Sequence, residues 1–282
     1  MSKTFEGKVA IVTGSSNGIG RACAVLFAKK GAKVTITGRN ADRLKETADL
    51  ITTAGVPESH INIVQGDVTN SATLDEIVKT TVDKFGKIDI LVNNAGCVLS
   101  DENGKMNLEA SVDTCRRTMD LNLHSVIELT QKCRPHLIAS KGEVVNISSI
   151  AAGPHAFKDQ AYYAMSKSAL DQFTRCAAVE LIAHGVRVNS VNPGAVFTGI
   201  GEAMGLPKEL ATKMFEYYNG KTDYIPTGAA GMPNDIATIV AFLADRSSSG
   251  YMIGQTLTAD GGSSLILSLN TGSMEEVLKE LA

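Results

Sequence analysis

Tryptophan is absent from the 282 residues, and only seven prolines are present. Neither scarcity excludes a fold class. Other absences exclude more. No C-x-x-C spacing joins Cys23, Cys97, Cys115, Cys133 and Cys176, and an odd, scattered set reads as reduced thiols in a cytoplasmic compartment, not as a disulfide framework. The five histidines show no ligand spacing, so no metal site is expected. There is no basic stripe. The net charge of −3 and pI near 6.0 speak against a nucleic-acid partner. No apolar run reaches membrane-spanning length, and the opening MSKTFEGK has no signal-peptide character, so no membrane association is expected. The closing Glu-Leu-Ala is not a peroxisomal tail. The sequon Asn146-Ile-Ser148 falls in a segment that reads as buried strand and is expected to be silent.

What is present is a chain 44% hydrophobic, with mean hydropathy +0.03, long enough to bury a substantial core as one domain. Candidate strands at 8–13, 33–37, 61–65, 88–93, 143–147, 187–192 and 256–259 alternate with helix-like segments, and no linker or repeat divides them. The alternation predicts a single α/β domain over 1–282, a Rossmann-type doubly wound parallel sheet in a three-layer α/β/α arrangement.

The first strand candidate, KVAIVT, runs into Gly14, Gly18 and Gly20 and then an amphipathic stretch over 21–30. Strand, glycine turn and helix is the context in which such a motif binds a dinucleotide. Glycines let the backbone approach a pyrophosphate, and a helix N-terminus offers free N–H groups and a favourable dipole. Ser15, Ser16, Asn17 and Ile19, within the loop, are expected contacts with the three glycines.

The second strand should end beside the adenosine ribose, where an NAD site usually places a carboxylate. Here Gly38 is followed by Arg39 and Asn40. An arginine pairs with a 2′-phosphate through its planar donor fork, and no carboxylate repels that phosphate. NADP(H) is therefore favoured over NAD(H); the plain alternative is an ordinary exposed loop arginine.

Tyr163 and Lys167 lie four apart in 161–184, a run without Gly or Pro whose Leu170, Phe173, Ala177 and Leu181 recur at helical spacing. One helix face would carry both. A free tyrosine titrates near ~10, and a nearby cation is expected to lower that value, towards the range a general acid/base needs. Tyr162 has Ser166 four residues on and does not qualify. Ser149 follows the strand candidate 143–147, where a hydroxyl can face the ligand crevice and bind a substrate carbonyl oxygen. Ser149 is preferred, with Ser148 as its competitor because strand neighbours face opposite ways; a serine that only caps a turn is the commoner case.

In this order the motifs resemble the short-chain dehydrogenase/reductase family, in its compact single-domain branch, over nearly the whole chain from Thr13 to Gly262. The Gly14/Gly18/Gly20 loop matches the family's TGxxxGxG turn. Asp67, with Val68 beside it, matches the aspartate at the adenine ring. NNAG, with Asn93, Ala95 and Gly96, matches the motif beside the adenosine ribose. PGAVFT matches the segment at the nicotinamide carboxamide, which implies contacts from Pro193, Gly194, Val196 and Thr198. Asn122, Ser149, Tyr163 and Lys167 match the catalytic tetrad.

The resemblance implies that Tyr163 exchanges the proton, Ser149 binds the substrate oxygen, Lys167 also contacts the nicotinamide ribose, and Asn122 holds a water leading to solvent. It implies an oxidoreductase acting on CH–OH donors and a homo-oligomer, a dimer or tetramer. The Ser149–Tyr163 spacing is one residue longer than the family's commonest pattern, and GPH at 153–155 resembles tropinone-reductase-like members and metazoan homologues of unassigned substrate. The alternative from another class is a catalytically idle dinucleotide-binding sensor or scaffold; such members usually lose the Tyr, the Lys or a loop glycine, all retained here.

The segment 197–227 is expected to cover the substrate, with Met204, Leu206, Met214, Phe215 and Tyr218 as apolar lid residues and Gly199, Gly201 and Gly205 as hinges. The same apolar residues could instead pack the lid onto the body. Cys97, His155 and Phe157 are further wall candidates, although a plain buried thiol is the commoner reading for Cys97. Such a pocket suits a small hydrophobic ketone or secondary alcohol. In the tail 263–282, Met274, Val277, Leu278 and Leu281 share one helical face that is expected to dock on the body or on another subunit.

Overall fold

In the computed structural model, which describes residues 3–158, 160–199, 201 and 207–266, seven parallel strands form one sheet. They are β1 (Val9–Val12), β2 (Lys33–Gly38), β3 (Ile61–Gln65), β4 (Ile90–Asn93), β5 (Glu143–Ile147), β6 (Arg187–Pro193) and β7 (Thr256–Ala259). The order across the sheet is β3-β2-β1-β4-β5-β6-β7. The order reverses between β1 and β4, which pair Ala10 with Ile90 and Val12 with Val92. A crevice opens outside the strands' carboxyl ends at such a switch point.

The strands differ from the expected spans at their ends. β4 starts at Ile90 because Asp89 serves as a brace: its carboxylate accepts from Val9 N at 2.9 Å and pairs with Lys8 and Lys87. β1 stops at Val12 because Thr13 turns its hydroxyl to accept from Asn94 N (2.9 Å) and Ala95 N (3.0 Å).

Helices cover both faces. They are α1 (Gly18–Lys29), α2 (Ala41–Thr53), α3 (Ser71–Phe85), α4 (Val112–Met119), α5 (Ser125–Ser140), α6 (Ala161–Ile182), α7 (Lys208–Glu216), α8 (Pro233–Ala244) and α9 (Arg246–Ser249). Strand alternation divides the core. Ala10, Val12, Val92, Val145 and Val191 pack with Phe27 of α1 and Val240 of α8. Ile11, Leu91, Val144 and Val188 pack on the other face with Ile77 of α3, Leu129 of α5 and Leu181 of α6. The three layers are those the alternating pattern predicts.

At the amino ends of β5 and β6 the buried Arg187 guanidinium lies 2.9 Å from Glu143 and donates to the carbonyls of Ser249 (2.6 Å) and Leu243 (2.8 Å). Arg246 reaches Glu143 at 2.7 Å from the other side. Burial pushes the Glu143 carboxyl up, and the two arginines oppose that.

Candidate active site

A cavity of about 830 Å³ opens at the carboxyl ends of the strands. Its floor is the turn after β1. Gly14 (φ +62°) lies so close to the turn after β4 that a Cβ there would sit 2.9 Å from Ala95 Cα. Gly18 (φ +52°) begins α1, whose amino end faces the cavity. Gly14, Ser16, Asn17, Gly18 and Ile19 line it. Gly20 does not; it is a packing glycine, since a Cβ would meet Gly14 O and Asn94 Nδ2 at 2.4 Å.

Two expected contacts are turned away. The buried Ser15 hydroxyl donates to Thr37 O (3.3 Å) and accepts from Thr37 N (2.9 Å), stitching the loop to β2. The Asn93 amide points into the sheet, donating to Asn146 Oδ1 (2.9 Å) and Thr130 Oγ1 (3.2 Å). Its neighbour Asn94 lines the cavity instead and clamps the glycine turn by donating to Thr13 O at 2.8 Å.

At the far end stand Arg39, Asn40, Asp67 and Val68. Arg39 is 75% exposed and 3.9 Å from Asp67, so its fork is open to a ligand. The Asn40 side chain caps α2 by accepting from Arg43 N at 2.9 Å. Arg43 also lines this end and was not expected, since nothing in its spacing marks it. Arg21 holds the region together. Its guanidinium donates to Ser16 O, to Arg43 O at 3.1 Å and to Thr47 Oγ1 at 3.0 Å.

The opposite end of the cavity is built on α6. Lys167 is buried, donates to Ile147 O at 2.8 Å and lies 5.6 Å from the centre of the Tyr163 ring. Tyr163 is hydrogen-bonded to Ser149. The Ser149 hydroxyl also accepts from Ala151 N at 3.1 Å, capping the 3₁₀ turn Ile150–Ala152. Ser148 is directed away from the tyrosine, its hydroxyl donating to Lys167 O at 3.3 Å.

Asn122 sits in a π-helical turn, Asp120–His124, between α4 and α5. Its amide clamps the Cys97 peptide, accepting from Cys97 N and donating to Cys97 O, both at 2.9 Å. It also donates to Ser166 Oγ at 3.1 Å. The side chain therefore stands behind the cavity wall, which it positions.

The expected direction of the tyrosine shift is overturned. Burial pushes Tyr163 up to about 12, the Ser149 hydrogen bond opposing it. Burial pulls Lys167 down to about 8, with the Asp171 charge opposing. Desolvation disfavours the charged form of both and is the largest cause of each shift.

Cys97 (5% exposed) and Phe157 line the cavity with Phe215, whose ring packs 5.3 Å from that of Phe197. Burial pushes the Cys97 thiol up. His155 does not join them; it is exposed in the loop beyond Gly153, its ring against that backbone. Gln160, Tyr218, Tyr224 and Ile225 line the cavity, three of them without a motif to mark them in advance. Met204, Gly205, Leu206, the Met214 side chain and residues 267–282 lie outside the described residues. Among the described residues no His/Cys/Asp/Glu group is arranged to hold a metal, and no helix is long and apolar enough to cross a membrane.

Residues 14–264 match the family model described as enoyl-(acyl carrier protein) reductase. The chain is 50% identical to a Caenorhabditis elegans short-chain dehydrogenase/reductase of unknown function, crystallised with cofactor. That likeness has a TM-score of 0.94 and covers 96% of this chain and 100% of the other. It is 53% identical to apo glucose dehydrogenase of the same organism, with a TM-score of 0.78, over 93% and 99% of the two chains. It is 34% identical over 261 residues to a 3-oxoacyl-[acyl-carrier-protein] reductase of Synechocystis, covering 92% and 97% respectively.

Proposed function

The chain belongs to the short-chain dehydrogenase/reductase family, and from that premise we propose that it is an NADP(H)-dependent oxidoreductase of a small hydrophobic ketone or secondary alcohol. The observation that carries this reading is the Tyr163 hydroxyl bonded to Ser149, on the same helix face as a buried Lys167, at one end of a cavity floored by a glycine turn.

The residues fit a dinucleotide. Gly14 and Gly18 put bare backbone on the floor beside the amino end of α1, where a pyrophosphate can approach. Arg39 and Arg43 supply guanidinium forks at the end where a 2′-phosphate would lie. Asp67 and Val68 would take the adenine, and Pro193, Gly194, Val196 and Thr198 the nicotinamide end. When bound, the nicotinamide supplies or accepts the hydride.

The chain's own groups handle the oxygen and the proton. Ser149 donates to the substrate oxygen and fixes it beside Tyr163. With a pKa of about 12, Tyr163 is a protonated acid at neutral pH, which suits reduction, where it gives its proton to the developing alkoxide. Lys167, charged below about 8, then stabilises the phenolate left behind. Cys97, Phe157 and Phe215 exclude water from the reacting carbon. Phe215, Tyr218, Tyr224 and Ile225 would border the substrate, and the chain assembles as a homodimer or tetramer.

The test is NADPH and NADH binding by fluorescence and thermal shift, then turnover of a ketone panel by the wild type and Tyr163→Phe. Tighter NADPH binding by tenfold, roughly 1.4 kcal/mol, and turnover lost in Tyr163→Phe with cofactor binding retained are the expected results. Unchanged turnover in Tyr163→Phe would sink the mechanism; NADH binding more tightly would make Arg39 a bystander.

A further inference from the structure

Asp171 lies one turn beyond Lys167 on the buried face of α6, with Leu170 and Thr174. It is 6% exposed, and a carboxylate is kept in such surroundings only where it is paired. Its hydrogen-bond partners are neutral. Asn192 Nδ2 donates to it at 2.7 Å, and the Ser190 hydroxyl approaches at 3.5 Å. The same Asn192 amide donates to the backbone carbonyl of Ser149 at 3.2 Å and accepts from Ser190 at 2.9 Å. Asn192 therefore joins the peptide of the serine that binds Tyr163 to a carboxylate one turn from Lys167.

We propose that Asp171 and Asn192 are a positioning pair for the reaction. Asp171 supplies the negative charge that keeps Lys167 an ammonium, and Asn192 anchors that carboxylate to the Ser149 peptide. The proposal rests on the roles given above to Ser149, Tyr163 and Lys167.

A carboxylate that served only to pack α6 on β6 would be replaced without electrical consequence by its amide. Asp171 has an electrical consequence, because it opposes the burial that pulls Lys167 down. The titratable groups around the pair are Lys167 and Tyr163 on α6 and Cys97 from the turn after β4. The neighbouring β6 presents Ser190 and Asn192, and the π turn presents Asn122, none of them charged.

The experiment uses the full chain labelled with ¹³Cε-lysine, the Lys167 resonance being assigned by its loss in Lys167→Arg. Asp171→Asn keeps an oxygen for the Asn192 amide and removes the charge. Its expected result is a Lys167 midpoint lower by about one pH unit. Ketone turnover then falls about threefold at pH 7.5 and about tenfold at pH 9, following the lost ammonium fraction. Asn192→Ala is expected to lower kcat at every pH.

A Lys167 midpoint unmoved in Asp171→Asn, or a loss of turnover that is the same at all pH values, overturns the proposal. Asp171→Ser is the second variant, and failure of both to fold would assign the carboxylate a purely structural part and also overturn it. Tyr163→Phe separates the two readings. If that variant stays active the tetrad reading falls; if it is dead while Asp171→Asn behaves as wild type, only the pair falls.

Discussion

Lys167 Nζ stands 5.6 Å from the centre of the Tyr163 ring and spends a hydrogen bond of 2.8 Å on the Ile147 carbonyl. The two groups shift in opposite directions, the phenol up to about 12 and the ammonium down to about 8. Burial thus disfavours the charged form of each group.

That leaves a signature in stability. Unfolded, Lys167 holds its proton up to its ordinary value of 10.5; folded, it releases it near 8. Between these values the unfolded chain binds more protons, so stability rises with pH. Compared with Lys167→Met, the wild type should gain about 1.4 kcal/mol per pH unit from pH 8 towards pH 10. Urea denaturation of both proteins across that range measures it. A constant difference would show that Lys167 titrates alike in both states.

Gly96 faces Lys167 and Asn122. A Cβ there would lie 2.9 Å from Asn122 Oδ1 and 3.2 Å from Lys167 Nζ. Asn122 cannot yield, because it is clamped to both polar atoms of the Cys97 peptide. Gly96→Ala should therefore displace the lysine and cost on the order of 100-fold in turnover, with little change in melting temperature. Turnover within a factor of two of wild type would show that the lysine's placement is not critical.

The fold was legible because strand and helix periods alternate cleanly, and the structure brings Gly14, Gly18, Asp67, Tyr163 and Lys167 to one cavity. The site was less so, because a motif marks where the chain goes and not which way a side chain turns. Ser15 and Asn93 sit inside recognisable motifs, yet their polar groups are consumed by Thr37 and Asn146. Arg43 reaches the cavity from the first turn of α2, a position only the helix's direction reveals. The pKa of Tyr163 needed burial, which a Tyr-x-x-x-Lys spacing does not encode. Asp171 and Asn192 meet across 21 residues of sequence, with no pattern connecting them.

Arg39 and Arg43 should share the choice of cofactor. A charge-assisted hydrogen bond contributes about 1.5–3 kcal/mol, so Arg39→Ala and Arg43→Ala should each weaken NADPH by roughly 10- to 100-fold and leave NADH nearly unchanged. Kd values for both cofactors by fluorescence titration decide this. Equal losses for the two cofactors would mean that the arginines support the loop and do not read the phosphate.

Arg187 offers the converse case, stability without function. Its guanidinium is 1% exposed at the amino end of β6, across the sheet from the cavity at the carboxyl ends. Arg187→Met leaves Glu143 with Arg246 alone and strips donors from the carbonyls of Ser249, Leu243 and Met252. Removing one partner of a buried pair costs about 3–5 kcal/mol, and that loss should appear in urea denaturation. Kd for the cofactor should stay within about twofold of wild type in the folded fraction, roughly 0.4 kcal/mol. A large loss of affinity would show that the two ends of β6 are coupled, and the sheet would then transmit strain from its base to the site.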